Sequence, residues 1–348
     1  MKIDGLNISY SERPKIIAEI GINHNGSLDA AKKISELAAE AGADIIKTQL
    51  HIPEEEMSMA AKSLIPKHCD SSIFEIIDQC SLKIDEEFEL KRFIDDLGCI
   101  YLSTPFSAKA ANILGGEFEV KAFKIGSGEC NNPTILDAAV QYHVPLIIST
   151  GMNSLSSCQW TYDYVYKNSN IRPILMHTTN LYPTPKHLVR LGGIAELQSI
   201  AGIDNVGLSD HTNNNLACIG SVVLGTVLLE RHFTDTLDRT GPDIMNSMDP
   251  AQLKELRCCS EEMFLMRGGS KMEAIPEEQD TRDFAFATIV ATKFINAGDS
   301  ITTENSTPKR PGCGDFQAKD HVQILGMKVR CSIETGTHIL KTHLLYDL

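Results

Sequence analysis

The sequence predicts an α/β protein, a (β/α)8 barrel followed by a small, mostly-β domain, and three observations carry the prediction. Between residues 15 and 269, eight short apolar runs alternate with helical patterns. No G-x-G-x-x-G follows the first run, which argues against an open doubly wound sheet. After Gly268-Gly269 the alternation stops and the texture changes. Continuous apolar strands separated by helices call for a parallel sheet buried on both faces, and eight repeats over ~250 residues suit a closed TIM barrel.

Asp4-Gly5 between Lys2-Ile3 and Leu6–Tyr10 signals a hairpin. The first barrel strand is KIIAEIG (15–21). The first helix, 27–42, places Leu28, Ala31, Ile34, Leu37, Ala38 and Ala41 at helical spacing, with Ser27 and Gly42 as caps. The second strand, DIIKTQ (44–49), precedes a long loop. A helix over 85–98 leads to CIYLSTPF (99–106), one over 107–115 to AFKIGSGE (122–129), and one over 133–142 to PLIISTGM (145–152). Helices over 154–168, 190–200 and 214–225 lead to PILMHTTN (173–180), VGLSDH (206–211) and VLLERHF (227–233). A last helix covers 250–269. Residues 1–269 are therefore expected as the barrel and 270–283 as a polar linker. In 284–348 short runs alternate with turns at Ala297-Gly298-Asp299 and Pro311-Gly312. A domain of ~65 residues is small for independent stability, so it is expected to dock on something.

The 348 residues carry a net charge of −14, which disfavours a general nucleic-acid binder. Ten cysteines without a C-x-x-C read as reduced thiols in a cytoplasmic protein. The opening MKIDGLNISY lacks the apolar core of a signal peptide, and no run of ~18 apolar residues occurs, so no membrane association is expected.

Nearly every strand ends in polar residues: Glu19 then Asn23-His24-Asn25; Lys47 and Gln49; Ser103-Thr104; Lys124, Ser127 and Glu129; Ser149-Thr150; His177 to Asn180; Ser209-Asp210-His211; and Glu230 with His232. A lone Ser or Thr here would cap the next helix. Buried singly and without partners, such groups cost about 1–3 kcal/mol each. Gathered at the C-terminal rim of a barrel they form one solvated site. Lys47 and Lys124 project from apolar strands, and with neighbouring hydroxyls they suit a phosphate or carboxylate. His211 and His232 end successive strands and can converge on one divalent ion, with Glu19 and Asp243 as carboxylate neighbours. Mixed N/O ligation suits Mn²⁺, Co²⁺ or Mg²⁺ as well as Zn²⁺. His24, His51, His68 and His177 are weaker ligand candidates. An anion pocket beside a carbonyl-polarising metal is the equipment of a carbon–carbon bond-forming lyase or synthase.

The segments AEIGINHNGSLDAAKKI, KTQLH, STPFS, KIGSGECNN, STGMNS, TNLYPTP, GLSDHT, LERHFT and GPDIMNSMDP resemble the sialic acid synthase family, the bacterial N-acetylneuraminate synthases. KRPGCGDF resembles that family's C-terminal antifreeze-like (SAF) domain. The resemblance runs in order over nearly the whole chain. It implies metal-dependent condensation of phosphoenolpyruvate with N-acetylmannosamine and water, giving N-acetylneuraminate and phosphate by C–O cleavage. It implies that His211 and His232 are metal ligands, with Mn²⁺ the first expectation and Mg²⁺ or Co²⁺ alternatives. Lys47, Thr104, Lys124, Ser127, Ser149, Asn180 and Ser209 match phosphoenolpyruvate-holding positions. Gln49, Tyr182, Asp243, Phe284 and Arg310 match sugar-facing ones. Glu19 and Glu129 are acid–base candidates between which the sequence does not choose. The resemblance also implies a domain-swapped homodimer in which Arg310 meets the sugar's N-acetyl group in the partner's barrel.

Departures from the family pattern are His68 in place of a sugar-facing Asn, Thr178 where Cys is frequent, an Asn run at 213–215, and Cys313 where Asn is frequent. His68 bears on sugar selectivity and keeps a legionaminate-type synthase, using a 2,4-diacetamido-6-deoxymannose, as the alternative. A Schiff-base aldolase built on Lys47 or Lys124 is a further rival.

Overall fold

The structure, a computed structural model, describes residues 1–65, 71–241, 243–269, 271 and 273–346. It comprises two compact units, Met1–Gly268 and Gly269–Leu348.

The first unit opens with strands β1 (Lys2–Ile3) and β2 (Leu6–Asn7), paired antiparallel. Asp4 and Gly5 both have positive φ, 42° and 87°, as a two-residue hairpin turn requires. Eight parallel strands follow: β3 (Lys15–Gly21), β4 (Ile45–Leu50), β5 (Ile100–Pro105), β6 (Phe123–Ile125), β7 (Leu146–Ser149), β8 (Ile174–Thr178), β9 (Val206–Ser209) and β10 (Leu228–His232). They neighbour one another in sequence order, and β10 pairs with β3 to close the barrel. These are the eight apolar runs of the sequence.

The helices are α1 (Leu28–Glu40), α2 (Pro53–Glu56), α3 (Ile73–Cys80), α4 (Ile84–Asp96), α5 (Ala108–Gly116), α6 (Pro133–Val140), α7 (Leu155–Ser169), α8 (Gly193–Ala201), α9 (Leu216–Val223) and α10 (Pro250–Arg267). Helices α2 and α3 lie in the stretch after β4 that the sequence suggested only as loop. Pro53 opens α2 at its first turn, and Ser72 with Glu75 forms a reciprocal capping box at α3.

Strand periodicity sorts the barrel into layers. Outward residues such as Ile16, Ala18, Ile46, Phe123, Leu175 and Leu229 pack against the helices. The inward residues Ile17, Ile45, Leu102, Ala122, Ile147, Met176 and Leu228 form a separate interior cluster, which Ile3 and Ile8 of the hairpin join. Each such buried Ile or Leu is worth about 1.5–3 kcal/mol of transfer free energy. Room in this layer is tight: a Cβ at Gly207 would meet Met176 Sδ at 2.4 Å. Two residues further along each strand, the same inward face becomes polar: Glu19, Lys47, Thr104, Lys124, Ser149, Thr178 and Glu230. The apolar layer is the floor of a polar mouth.

The second unit contains α11 (Gln279–Ala285), β11 (Thr288–Ala291), β12 (Ser306–Lys309) and α12 (His321–Ile324). Strands β11 and β12 pair antiparallel, and Ile289, Ala291, Ile295, Ile301, Phe316 and Val329 belong to its own core. The stretch read as an irregular linker, 270–283, turns helical at Pro276–Glu278 and runs into α11, with Glu277 and Glu278 favourably placed in a first turn opened by proline. Among the described residues no helix is long and apolar enough to cross a membrane.

Candidate active site

The C-terminal ends of the barrel strands surround a cavity of about 200 Å³. Glu19 enters it from β3, Lys47 and Gln49 from β4, Thr104 from β5 and Lys124 from β6. Ser127 follows β6, Ser149 ends β7, Asn180 and Tyr182 follow β8, and Ser209 ends β9. His211 after β9, His232 at the end of β10 and Asp243 beyond it complete the lining. A roomier groove of about 610 Å³ along Pro183–Pro185, Val189–Leu191 and Thr212–Asn214 has no carboxylate or imidazole among its lining residues, so the chemistry belongs to the smaller space.

The two lysines are more than nine-tenths buried. Lys47 Nζ lies 2.5 Å from Glu19 Oε2 and donates to Thr104 Oγ1 at 3.3 Å. Lys124 Nζ donates to Ser149 Oγ at 2.7 Å and to Glu230 Oε1 at 3.2 Å. Burial alone would lower both ammonium groups. At Lys47 the carboxylates of Glu19 and Glu230 outweigh burial and raise its pKa above the ordinary value. At Lys124 burial wins over Glu230, with the charge of Lys47 adding to it, and the pKa falls. Gly21, at φ +44°, is required beside them: a Cβ there would stand 2.7 Å from Glu19 Oε1.

His211 Nδ1 faces the Thr179 carbonyl at 2.9 Å. A carbonyl only accepts, so Nδ1 carries the proton and Nε2 keeps its lone pair. Burial, then the neighbouring His232, lowers the His211 pKa to about 3, which holds the ring neutral. The two imidazole centroids are 5.5 Å apart, and the Tyr182 ring lies 4.2 Å from that of His211. His232 Nδ1 is buried without a hydrogen-bond partner, 3.9 Å from Asp243 Oδ2. A neutral imidazole with a fixed tautomer beside one with an orphaned nitrogen fits a divalent cation. Among the described residues no group of three or more ligating side chains is assembled, so this pair would leave positions to water and substrate.

The NeuB family matches residues 34–271, and the SAF domain matches residues 286–345. The chain belongs to the NeuB family. It is 33% identical over 317 residues to the N,N'-diacetyllegionaminic acid synthase of Campylobacter jejuni, covering 89% of this chain and 94% of that protein. It is 29% identical over 331 residues to the human N-acetylneuraminate-9-phosphate synthase, covering 94% of this chain and 91% of that one. The crystal structure of an N-acetylneuraminic acid synthetase from Leptospira borgpetersenii matches with a TM-score of 0.73 at 26% identity, over 81% of this chain and 94% of that chain. The NeuB-family chain is a nonulosonic acid synthase, a phosphoenolpyruvate-dependent condensing enzyme.

Several residues of this NeuB-family chain stand elsewhere than the sequence suggested. Glu129 does not line the cavity; its carboxylate accepts from Asn132 Nδ2 at 2.5 Å. Ser103, Thr150, His177 and Asp210 follow the outward parity of their strands rather than facing the mouth. Thr150 donates to the Met176 carbonyl, His177 Nε2 bonds the Val189 carbonyl, and Asp210 pairs with Arg231 at 3.5 Å behind the barrel. His24 accepts from the Gly26 N–H. Phe284 and Arg310, by contrast, keep their expected place in the second unit and are exposed. His68 lies outside the described residues.

Glu230, a polar strand end to which the sequence assigns no role, also lines the cavity. It accepts from Lys124 and from Ser209 Oγ at 3.0 Å. Burial opposes its ionisation, but Lys124 and Lys47 outweigh burial and bring its pKa to about 2. The available signal was parity: Glu230 stands two residues before His232 and shares its inward face.

Proposed function

We propose that this nonulosonic acid synthase condenses phosphoenolpyruvate with N-acetylmannosamine and water to give N-acetylneuraminate and phosphate. The observation that carries the reading is the meeting of two ammonium groups and two imidazoles in one small cavity at the barrel mouth. Lys47 and Lys124, with Ser127, Ser149 and Ser209, would hold the phosphate and carboxylate of phosphoenolpyruvate. A divalent ion held by His211 and His232, Mn²⁺ first and Mg²⁺ or Co²⁺ as alternatives, would polarise the sugar aldehyde. The new bond joins C3 of phosphoenolpyruvate to the aldehyde carbon. Water adds at C2, and phosphate leaves with its bridging oxygen. Glu19 would take the proton of that water; in support, its carboxylate lines the cavity and that of Glu129 does not.

A second acceptor is favoured by one observation. Identity is higher to the Campylobacter jejuni legionaminic acid synthase than to the human enzyme, 33% against 29%. A 2,4-diacetamido-6-deoxymannose is therefore the alternative sugar. Phosphate release from phosphoenolpyruvate with each sugar, with and without Mn²⁺, decides between them. Consumption of neither sugar under any divalent ion overturns both readings. The homodimer, and sugar contacts by Phe284 and Arg310, remain parts of this proposal. Arg310→Ala is expected to raise KM for the sugar without raising KM for phosphoenolpyruvate.

A further inference from the structure

A single file of side chains runs from helix α2 to the carboxylate in the mouth. Glu56, on α2, places both carboxylate oxygens against His51 Nδ1, at 2.9 and 3.1 Å. His51 Nε2 lies 2.9 Å from Gln49 Oε1. Gln49 Nε2 donates to Glu19 Oε1 at 2.7 Å. The His51 ring is buried and stacked on Phe106, with centroids 4.2 Å apart and planes 16° from parallel. Both of its nitrogens are engaged, so His51 is not free to ligate a metal.

Each link fixes the polarity of the next. A carboxylate facing the Lys47 ammonium is an acceptor, so Gln49 must present its NH2 group to Glu19. Its carbonyl then faces His51, and Nε2 of the ring must donate. The Glu56 carboxylate also only accepts, here from the Ile52 N–H at 3.3 Å as well as from Nδ1. Both ring nitrogens therefore face acceptors, Nε2 the Gln49 oxygen and Nδ1 the Glu56 carboxylate. With one proton on Nδ1, the Nε2 lone pair would face the Gln49 oxygen, and the amide would turn over and aim that oxygen at Glu19.

We propose that His51 and Glu56 are a positioning pair that sets the Gln49 amide and so presents Glu19 to the reacting atoms as a carboxylate. The inference rests on the reading of Glu19 as the acid–base group. Neither residue touches substrate; both act through Gln49.

The test is Glu56→Gln in the full-length enzyme, read by ¹⁵N NMR of the histidine rings near neutral pH and by steady-state kinetics. The expected result is a doubly protonated His51 ring in the parent and a singly protonated one in the variant. The kcat should fall about 10- to 100-fold, the range for loss of a residue that orients another, with KM for phosphoenolpyruvate within about twofold. In a Gln49→Leu background the same substitution should add nothing further. A ring that stays doubly protonated overturns the proposal, as does an equal loss with and without Gln49. His51→Phe, which keeps an aromatic ring against Phe106, is the second variant should Glu56→Gln fold poorly; it should reproduce the kcat loss and its dependence on Gln49. The ring signal needs no sugar, so it reports on this pair even if the acceptor assignment fails.

Discussion

Glu230 and Glu87 are both carboxylates with almost no exposure, and their fates are opposite. Glu230 faces the mouth, where Lys124 and Lys47 bring its pKa to about 2. Glu87 lies on α4 behind the barrel wall, where burial pushes its pKa up to about 7; hydrogen bonds from Thr48 and Tyr101 only temper this, the Tyr101 bond being 2.6 Å long. The difference shows what the barrel mouth supplies. Burial by itself neutralises a carboxyl group, and only placed cations keep one charged in so dry a space. The inside of the mouth is a set of balanced charges; around Glu87 the outer layer is a neutral hydrogen-bonded core.

The sharpest way to break that comparison is Lys124→Met. Glu230 would lose its nearest cation and behave like Glu87. Removing one partner of a buried pair is expected to cost about 3–5 kcal/mol. The Glu230 pKa should rise well above about 2, which carboxyl NMR titration would show. Adding Glu230→Gln should restore most of the stability and none of the synthase activity. If the single variant is as stable as the parent, the balanced-charge account of the mouth fails.

Glu87→Gln probes the other side. A free Glu titrates near 4.5 and the folded Glu87 near 7. Between those values the folded state holds a proton that the unfolded state has released, so stability falls as pH rises through the window. The full effect is at most about 3 kcal/mol, since each tenfold change in proton affinity is worth 1.36 kcal/mol. The variant should lack this dependence between pH 4.5 and 7 and leave activity intact. Denaturant midpoints measured across that range check it; parallel curves for the two proteins would contradict the outer-layer assignment.

The sequence made the barrel legible because eight apolar runs cannot be buried on both faces in many other ways. It made the rim legible by residue type, but not by direction. Ser103-Thr104, Ser149-Thr150 and Glu230-Arg231-His232 were read as polar clusters, whereas alternation sends Thr104, Ser149, Glu230 and His232 inward and their neighbours outward. Applying that period of two from His232 would have found Glu230 and set aside Asp210, which pairs with Arg231 behind the strands. What no local pattern could supply was long-range partnership: that Asn132 occupies Glu129, or that Gln49, His51 and Glu56 align into one chain. The capping box of α3 was readable as Ser72-x-x-Glu75, yet it stands in a stretch passed over as loop.

The smallest effect gives the finest test of the two layers. Ser149 Oγ accepts from Lys124 inside the mouth at 2.7 Å, and Thr48 Oγ1 donates to the Tyr101 hydroxyl outside it at 3.1 Å. Each side chain is buried, and each of these bonds joins it to another side chain. Ser149→Ala and Thr48→Val should therefore cost similar stability, about 0.5–1.5 kcal/mol each. Only Ser149→Ala should weaken phosphoenolpyruvate binding, because it frees the Lys124 ammonium to shift within the anion pocket. Thr48 stands between Lys47 and Gln49 in sequence, so proximity along the chain predicts a kinetic effect for both variants, and facing predicts it for one. A changed KM for phosphoenolpyruvate in Thr48→Val, at unchanged fold, would show that the wall between the layers is not the boundary of the site.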